Sequence, residues 1–183
     1  TLTFTPGTIS QSFVVGIVDD GVDEADETVG LALSGVVNAG LGAPSTATLT
    51  IVDDDGAPSV RFSSATYSIS EGGGSATILV TLSAASEQTA TVAYGTSDGT
   101  AKAPGDYVAA SGTLTFAPGV TSQSFVVGIV DDGVDEADET VGLALSGAVN
   151  AVLGAPSTAT LTIVDNDGAP SVRFSSASYS VGE

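Results

Sequence analysis

The 183-residue chain has no cysteine, no histidine and no tryptophan, and its only basic residues are Arg61, Lys102 and Arg173. Missing cysteine excludes disulfides and thiolate metal sites; it suits a bacterial surface protein, although many cytosolic proteins also lack it. Without histidine or cysteine, zinc, copper and iron lose their usual ligands. The commonest general base is absent too. With 22 acidic residues against three cations, the chain repels phosphate backbones and anionic headgroups. Nucleic acid and membrane surfaces are therefore not expected partners. No apolar run approaches the roughly 18 residues of a membrane-spanning helix, so direct membrane insertion is not expected. Aromatics are scarce, six Phe and four Tyr, which leaves Val, Leu, Ile and Ala to build the core. A 42% apolar content still argues for a folded chain despite the charge.

What is present is a repeat. Residues 1–71 lie on 113–183 without a gap at an offset of 112, and only nine of the 71 aligned pairs differ. Fixed-period self-similarity marks an array, and a period this long fits one small sandwich domain per unit better than a solenoid repeat. The expected division is the C-terminal half of a unit over 1–55, a complete unit over 56–167, and the N-terminal strand of a further unit over 168–183. Gly-Ala-Pro at 56–58 and 168–170 reads as a short, stiff linker. The chain is expected to be an excerpt of a longer array, and the half-unit 1–55, expected to hold four strands, should not be stable by itself.

The hydrophobic period is two. Phe125, Val127 and Ile129 alternate with Val126, Gly128 and Val130, and Ala159, Leu161 and Ile163 alternate with threonines. Val141, Leu143 and Leu145 follow the same rule, which decides for strand over helix across 135–145. Such alternation describes strands with one face in a core and one in water, punctuated by Gly, Pro, Asn and Asp turns. Seven strands are expected: 59–70 (broken), 75–83, 89–95, 112–116, 122–130, 139–146 and 157–164. The fold class is all-β, as antiparallel sandwiches in tandem.

The acids gather where strands end. Of twelve in the complete unit, six fall within 131–139, and Asp165 and Asp167 close the last strand. Glu71 precedes a Gly-Gly-Gly turn, and Asp106 lies in a long loop. In an antiparallel sandwich these connections can share one pole. Clustered carboxylates without diluting Lys or Arg are what a hard cation needs, and Ca²⁺ accepts roughly 6–8 oxygens in irregular geometry. A solvated acidic face is the plain alternative for 131–139 alone. The second cluster at 165–167, with counterparts of both at 19–27 and 53–55, weighs toward an ion, although duplication copies neutral features as well. Asp98 reads as an Asp-Gly turn capping its own backbone. Asp138 should face water, and Glu87 is a plain loop charge.

Several segments, in this order, resemble one family. They are Tyr67-Ser68-Ile69-Ser70-Glu71-Gly72, Gly105-Asp106-Tyr107, Ile129-Val130-Asp131-Asp132, Asp135-Glu136-Ala137-Asp138-Glu139-Thr140 and Thr162-Ile163-Val164-Asp165-Asn166-Asp167. The unit resembles the Calx-β domain, a calcium-binding sandwich of exchangers and large surface proteins. That resemblance implies an immunoglobulin-like seven-strand fold with Ca²⁺ at one pole. The ligands it implies are Glu71, Asp106, Asp131, Asp132, Glu136, Glu139, Asp165, Asn166 and Asp167. Asn166 departs from the three terminal carboxylates common in the family: its amide oxygen can coordinate, with one charge fewer. In the leading half-unit the implied counterparts are Asp19, Asp20, Glu24, Glu27, Asp53, Asp54 and Asp55.

Three functions compete. Near-identical copies on a short linker favour a calcium-binding structural repeat of a long extracellular fibre or adhesin, stiffened by Ca²⁺, on a bacterial or other cell surface. Its partners would be neighbouring identical repeats in the chain or filament. A Ca²⁺-sensing regulatory domain is the alternative, distinguished by one steep micromolar transition in place of graded near-millimolar stiffening. An enzyme is not expected: no Ser or Thr has a basic partner, and a carboxylate pair would lack an aromatic platform for sugar.

Overall fold

Period-two segments become strands here wherever the same unit supplies a partner. The computed structural model describes all residues 1–183. Its strands are β1 (Glu27–Ala32), β2 (Thr46–Ile51), β3 (Ser59–Phe62), β4 (Thr66–Ser70), β5 (Ser75–Leu82) and β6 (Ala90–Asp98). They continue with β7 (Tyr107–Val108), β8 (Ser111–Phe116), β9 (Ser122–Ile129), β10 (Glu139–Val149), β11 (Val152–Leu153) and β12 (Thr158–Val164). The chain divides into two compact units, Thr1–Gly56 and Ala57–Glu183.

The second unit is the expected sandwich. One sheet runs β4-β12-β10-β6-β8 and the other β11-β3-β5-β9-β7. Pairing is antiparallel except at two edges, where β4 lies parallel to β12 and β11 parallel to β3. Inward residues of one sheet, Ile78, Val80, Phe125 and Val127, face Val92, Val141, Leu143 and Leu161 of the other, all buried. Their intervening neighbours, Thr, Ser and Gly residues together with Leu79 and Val126, stand toward the outside, which is the physical content of the alternation. Tyr94 stacks on Phe125 with ring centroids 4.0 Å apart, and Phe62, Phe116 and Tyr107 are buried with them among the aliphatic residues of the core. Truncating Leu161, fully buried opposite Val141, would cost about 2–5 kcal/mol.

Three details differ from the expectation. β6 extends to Asp98 and β10 to Val149, the latter through an irregularity between Ser146 and Val149. The two-residue strands β7 and β11 exist only by pairing with β9 and β3, so no hydrophobic period announces them. The leading unit holds two strands, β1 and β2, where four were expected. Residues 10–17 repeat the sequence of β9 letter for letter, yet they form no strand. β9 pairs with β5 and β7, and β8 with β6; the unit Thr1–Gly56 contains no counterpart of β5, β6 or β7. Strand identity here depends on a nonlocal partner, and intrinsic preference does not replace it. Phe13 and Ile17 are accordingly half exposed, whereas Phe125 and Ile129 are buried.

Candidate metal centre

Strand register places the acidic ends together. Glu139 pairs with Ile163, Val141 with Asp98, Ser70 with Val164, Ser75 with Gly128, and Tyr107 with Ile129. The start of β10 and the ends of β4, β6, β9 and β12 therefore meet at one pole, with the start of β7. Glu71 opens a single 3-10 turn, Glu71–Gly73, and is buried there, 8% exposed. Beneath it is no room to spare: a Cβ on Gly72 would lie 3.1 Å from the Asn166 amide nitrogen.

Two groups of carboxylates form at this pole. Glu71, Asp165 and Asp167 bring oxygens within 4.8 Å of one another, and so do Asp106, Glu136 and Glu139. A cleft of about 10 Å³, roughly the room of one water, touches Glu71, Asp106, Glu136, Glu139 and Asp165, so the two groups adjoin. Asp131 and Asp132 stay outside both groups but lie close enough for their charges to raise the Glu71 and Asp167 carboxyls. Asp132 also closes its own turn, its Oδ1 accepting from the Val134 amide at 2.7 Å. The Asn166 amide lies against Gly72, the residue after Glu71.

Electrostatics explain what such a pole lacks. Loss of water pushes the Glu71 carboxyl above its ordinary value, against a lowering hydrogen bond from the Asp132 backbone, and Asp132, Asp167 and Asp131 push it further. Glu139 is raised by loss of water, then by Asp106, Glu136 and Glu71. Asp167 is raised for the same first reason, then by Asp165, Asp131, Asp132 and Asp135. No cation of the protein answers them. Asp167 Oδ2 is moreover buried without any hydrogen-bond partner, a state that native proteins avoid. An all-carboxylate donor set with an orphaned inward oxygen fits a hard divalent ion and fits nothing in the protein itself.

In the leading unit Asp19, Asp54 and Asp55 form a comparable group. Asp20 instead closes a turn onto the Val22 amide at 2.9 Å, and Glu24, Glu27 and Asp53 line a separate cleft of about 260 Å³. Loss of water and the neighbouring Asp53, Asp54, Asp19 and Asp20 raise the Asp55 carboxyl.

Some working residues escaped sequence reasoning. Asp138 faces water as expected, but it also accepts from the Asp165 amide at 3.3 Å and so holds the chain that carries a ligand candidate. Its counterpart Asp26 does the same for Asp53 at 3.2 Å, and that recurrence was the available signal. Asp98 receives the Tyr107 hydroxyl at 2.8 Å in addition to a loop amide. The nearness of β6 and β7 that allows this could not be read from spacing.

The Calx-beta domain family model matches residues 1–55 and 53–167. Extracellular matrix protein 3 of Lytechinus variegatus is 33% identical over 100% of this chain, which spans 6% of that protein. Sodium/calcium exchanger 2 of Homo sapiens is 34% identical over 72% of the chain and 16% of its own length. The crystal structure of calcium binding domain CBD12 of CALX1.1 superposes with a TM-score of 0.57 at 35% identity, covering 59% of this chain and 46% of that one.

Proposed function

The chain belongs to the Calx-beta domain family, and we propose that its complete unit is a calcium-binding module acting as one link of an extracellular array that the ion stiffens. The buried, partnerless oxygen of Asp167, within one of two adjoining three-carboxylate groups, carries this reading. In it, Glu71, Asp165 and Asp167 hold one ion and Asp106, Glu136 and Glu139 another. Asp131, Asp132 and Asn166 add charge or oxygens at the rim. Bound Ca²⁺ supplies the positive charge that lets these carboxylates stay ionised and close together. In the leading half-unit Asp19, Asp54 and Asp55 are the core of the equivalent site, with Asp20, Glu24, Glu27 and Asp53 around them.

The extracellular setting is supported by the matrix relative, and the spacer role by near-identical copies on a short Gly-Ala-Pro linker. Asp165 and Asp167 lie within three residues of Gly168, so an ion there would restrict the joint to the next repeat, the expected partner. The module binds and positions; no nucleophile with a basic partner accompanies the carboxylates. Small-angle scattering of several successive units tests the role. A longer maximum dimension in Ca²⁺ than in chelator is expected, and an unchanged or shorter one refutes stiffening.

The exchanger relative favours a second reading, a Ca²⁺ sensor. One steep micromolar transition with a large shape change would select it over graded near-millimolar stiffening.

A further inference from the structure

We propose that loop 99–106 is a latch, closed by the Tyr107–Asp98 and Thr100–Thr140 hydrogen bonds, that sets the position of Asp106 against Glu139 and thereby the affinity of their ion. The proposal rests on the calcium reading above. Asp98 ends β6 in one sheet, and Tyr107 opens β7 in the other. Between them the chain must cross from sheet to sheet at the acidic pole, and one candidate ligand, Asp106, sits at the far end of that crossing.

Both ends are tied. The Tyr107 ring is 1% exposed, so its hydroxyl needs a partner, and it donates to Asp98 Oδ1 at 2.8 Å. The same oxygen accepts from the Ala103 amide at 3.2 Å. The Tyr107 hydroxyl, then the Ala103 amide, hold the Asp98 carboxyl below its ordinary value, so it stays an ionised acceptor. Asp106 is fixed by its neighbours: the Lys102 amide donates to its Oδ2 at 2.6 Å, and its own amide donates to the Lys102 carbonyl at 3.0 Å. Its carbonyl accepts from Val130 at 3.0 Å.

The middle of the loop is stitched to the strand that carries Glu139. The Thr140 amide donates to Thr100 Oγ1 at 2.8 Å, and the Thr100 amide returns to Thr140 Oγ1 at 3.3 Å. The Ala101 amide reaches the Thr140 carbonyl at 3.2 Å. Gly99 is required at this crossing, because a Cβ there would collide with the Thr140 carbonyl. One short loop thus holds its own Asp106 at a fixed separation from Glu139 of β10. Partners that orient metal ligands in this way commonly change affinity by about 10–100-fold when removed. Asp98, Thr100, Tyr107 and Thr140 are positioning residues; none belongs to a carboxylate group at the pole.

The test is a Ca²⁺ titration of the full chain followed by amide NMR, which reads the two carboxylate groups separately. Tyr107→Phe keeps the buried ring and removes the hydroxyl; Thr100→Val removes an exposed hydroxyl and leaves the core untouched. Each should weaken half-saturation at Asp106, Glu136 and Glu139 about tenfold or more, with a much smaller change at Asp165 and Asp167. Thr100→Ser, which keeps the hydroxyl, should restore wild-type affinity. Wild-type half-saturation at Asp106 and Glu139 in Thr100→Val overturns the latch, and that variant decides if Tyr107→Phe does not fold. Equal loss at both groups overturns it too, since that is general loosening. If the wild-type chain shows no Ca²⁺ response at either group, the calcium reading itself fails and takes the latch with it.

Discussion

Replacing Glu71 by glutamine should invert its effect on stability according to whether calcium is present. Glu71 is buried, 8% exposed, beside Asp165 and Asp167, and glutamine keeps its shape while removing one negative charge. Without Ca²⁺ the folded state holds that charge out of water among like charges, which raises the carboxyl above its ordinary value. Glu71→Gln should therefore melt above wild type in chelator. With Ca²⁺ at one hundred times the dissociation constant, wild type gains about 2.7 kcal/mol by mass action. A hundredfold loss of affinity in the variant would leave about 0.4 kcal/mol, so the order reverses by roughly 2 kcal/mol. For a domain of this size that is on the order of 8 °C in melting temperature. All four tyrosines, at 67, 94, 107 and 179, lie in the unit Ala57–Glu183, so the tyrosine band of the near-ultraviolet circular dichroism follows that unit alone. A variant that melts below wild type in both conditions, or above it in both, would refute the reasoning.

Asp131→Asn with Asp132→Asn should remove part of the Ca²⁺-induced stabilisation while leaving the apo fold intact or firmer, whereas Glu87→Gln, exposed and remote, should change neither; equal thermal shifts would mean general charge relief. In chelator, melting temperature should rise on acidification from neutral pH. The Glu71, Glu139 and Asp167 carboxyls are raised in the folded state, so their protonation favours folding and that gain is lost as pH climbs through the raised values. Asp98, held low by Tyr107, opposes this only at pH below the ordinary carboxylate range. In saturating Ca²⁺ the slope should flatten or reverse, because protons then displace the ion. Amides of residues 10–17 should exchange rapidly by hydrogen–deuterium exchange while the identical sequence in β9 is protected; equal protection would show that pairing does not decide between them.

The sandwich was legible because its signals are local. Strand alternation at 122–130 and 157–164 marks a core face, and the acids at Asp131, Glu139, Asp165 and Asp167 mark strand ends that antiparallel pairing brings to one pole. Which carboxylates face one another was not legible. Asp131 and Asp132 looked as strong as Asp167, but only the turn geometry shows Asp132 spending an oxygen on the Val134 amide while Asp167 is left without a partner. Asp98 read only as a turn capping its own backbone, and Asp138 only as a water-facing charge, because the further partners they hold, the Tyr107 hydroxyl and the Asp165 amide, come from distant parts of the chain. The leading unit makes the same point with one sequence: the octapeptide at 10–17 has every strand preference of β9 and lacks only the neighbours.

Crystals of this chain grown in millimolar Ca²⁺ test the central claim most directly. The account predicts anomalous density between Glu71, Asp165 and Asp167 and between Asp106, Glu136 and Glu139, with carboxylate oxygens at about 2.3–2.6 Å from each ion. Asp167 Oδ2 should be among those oxygens. Ordered water alone at both positions, with Asp167 Oδ2 turned to another partner, would contradict it.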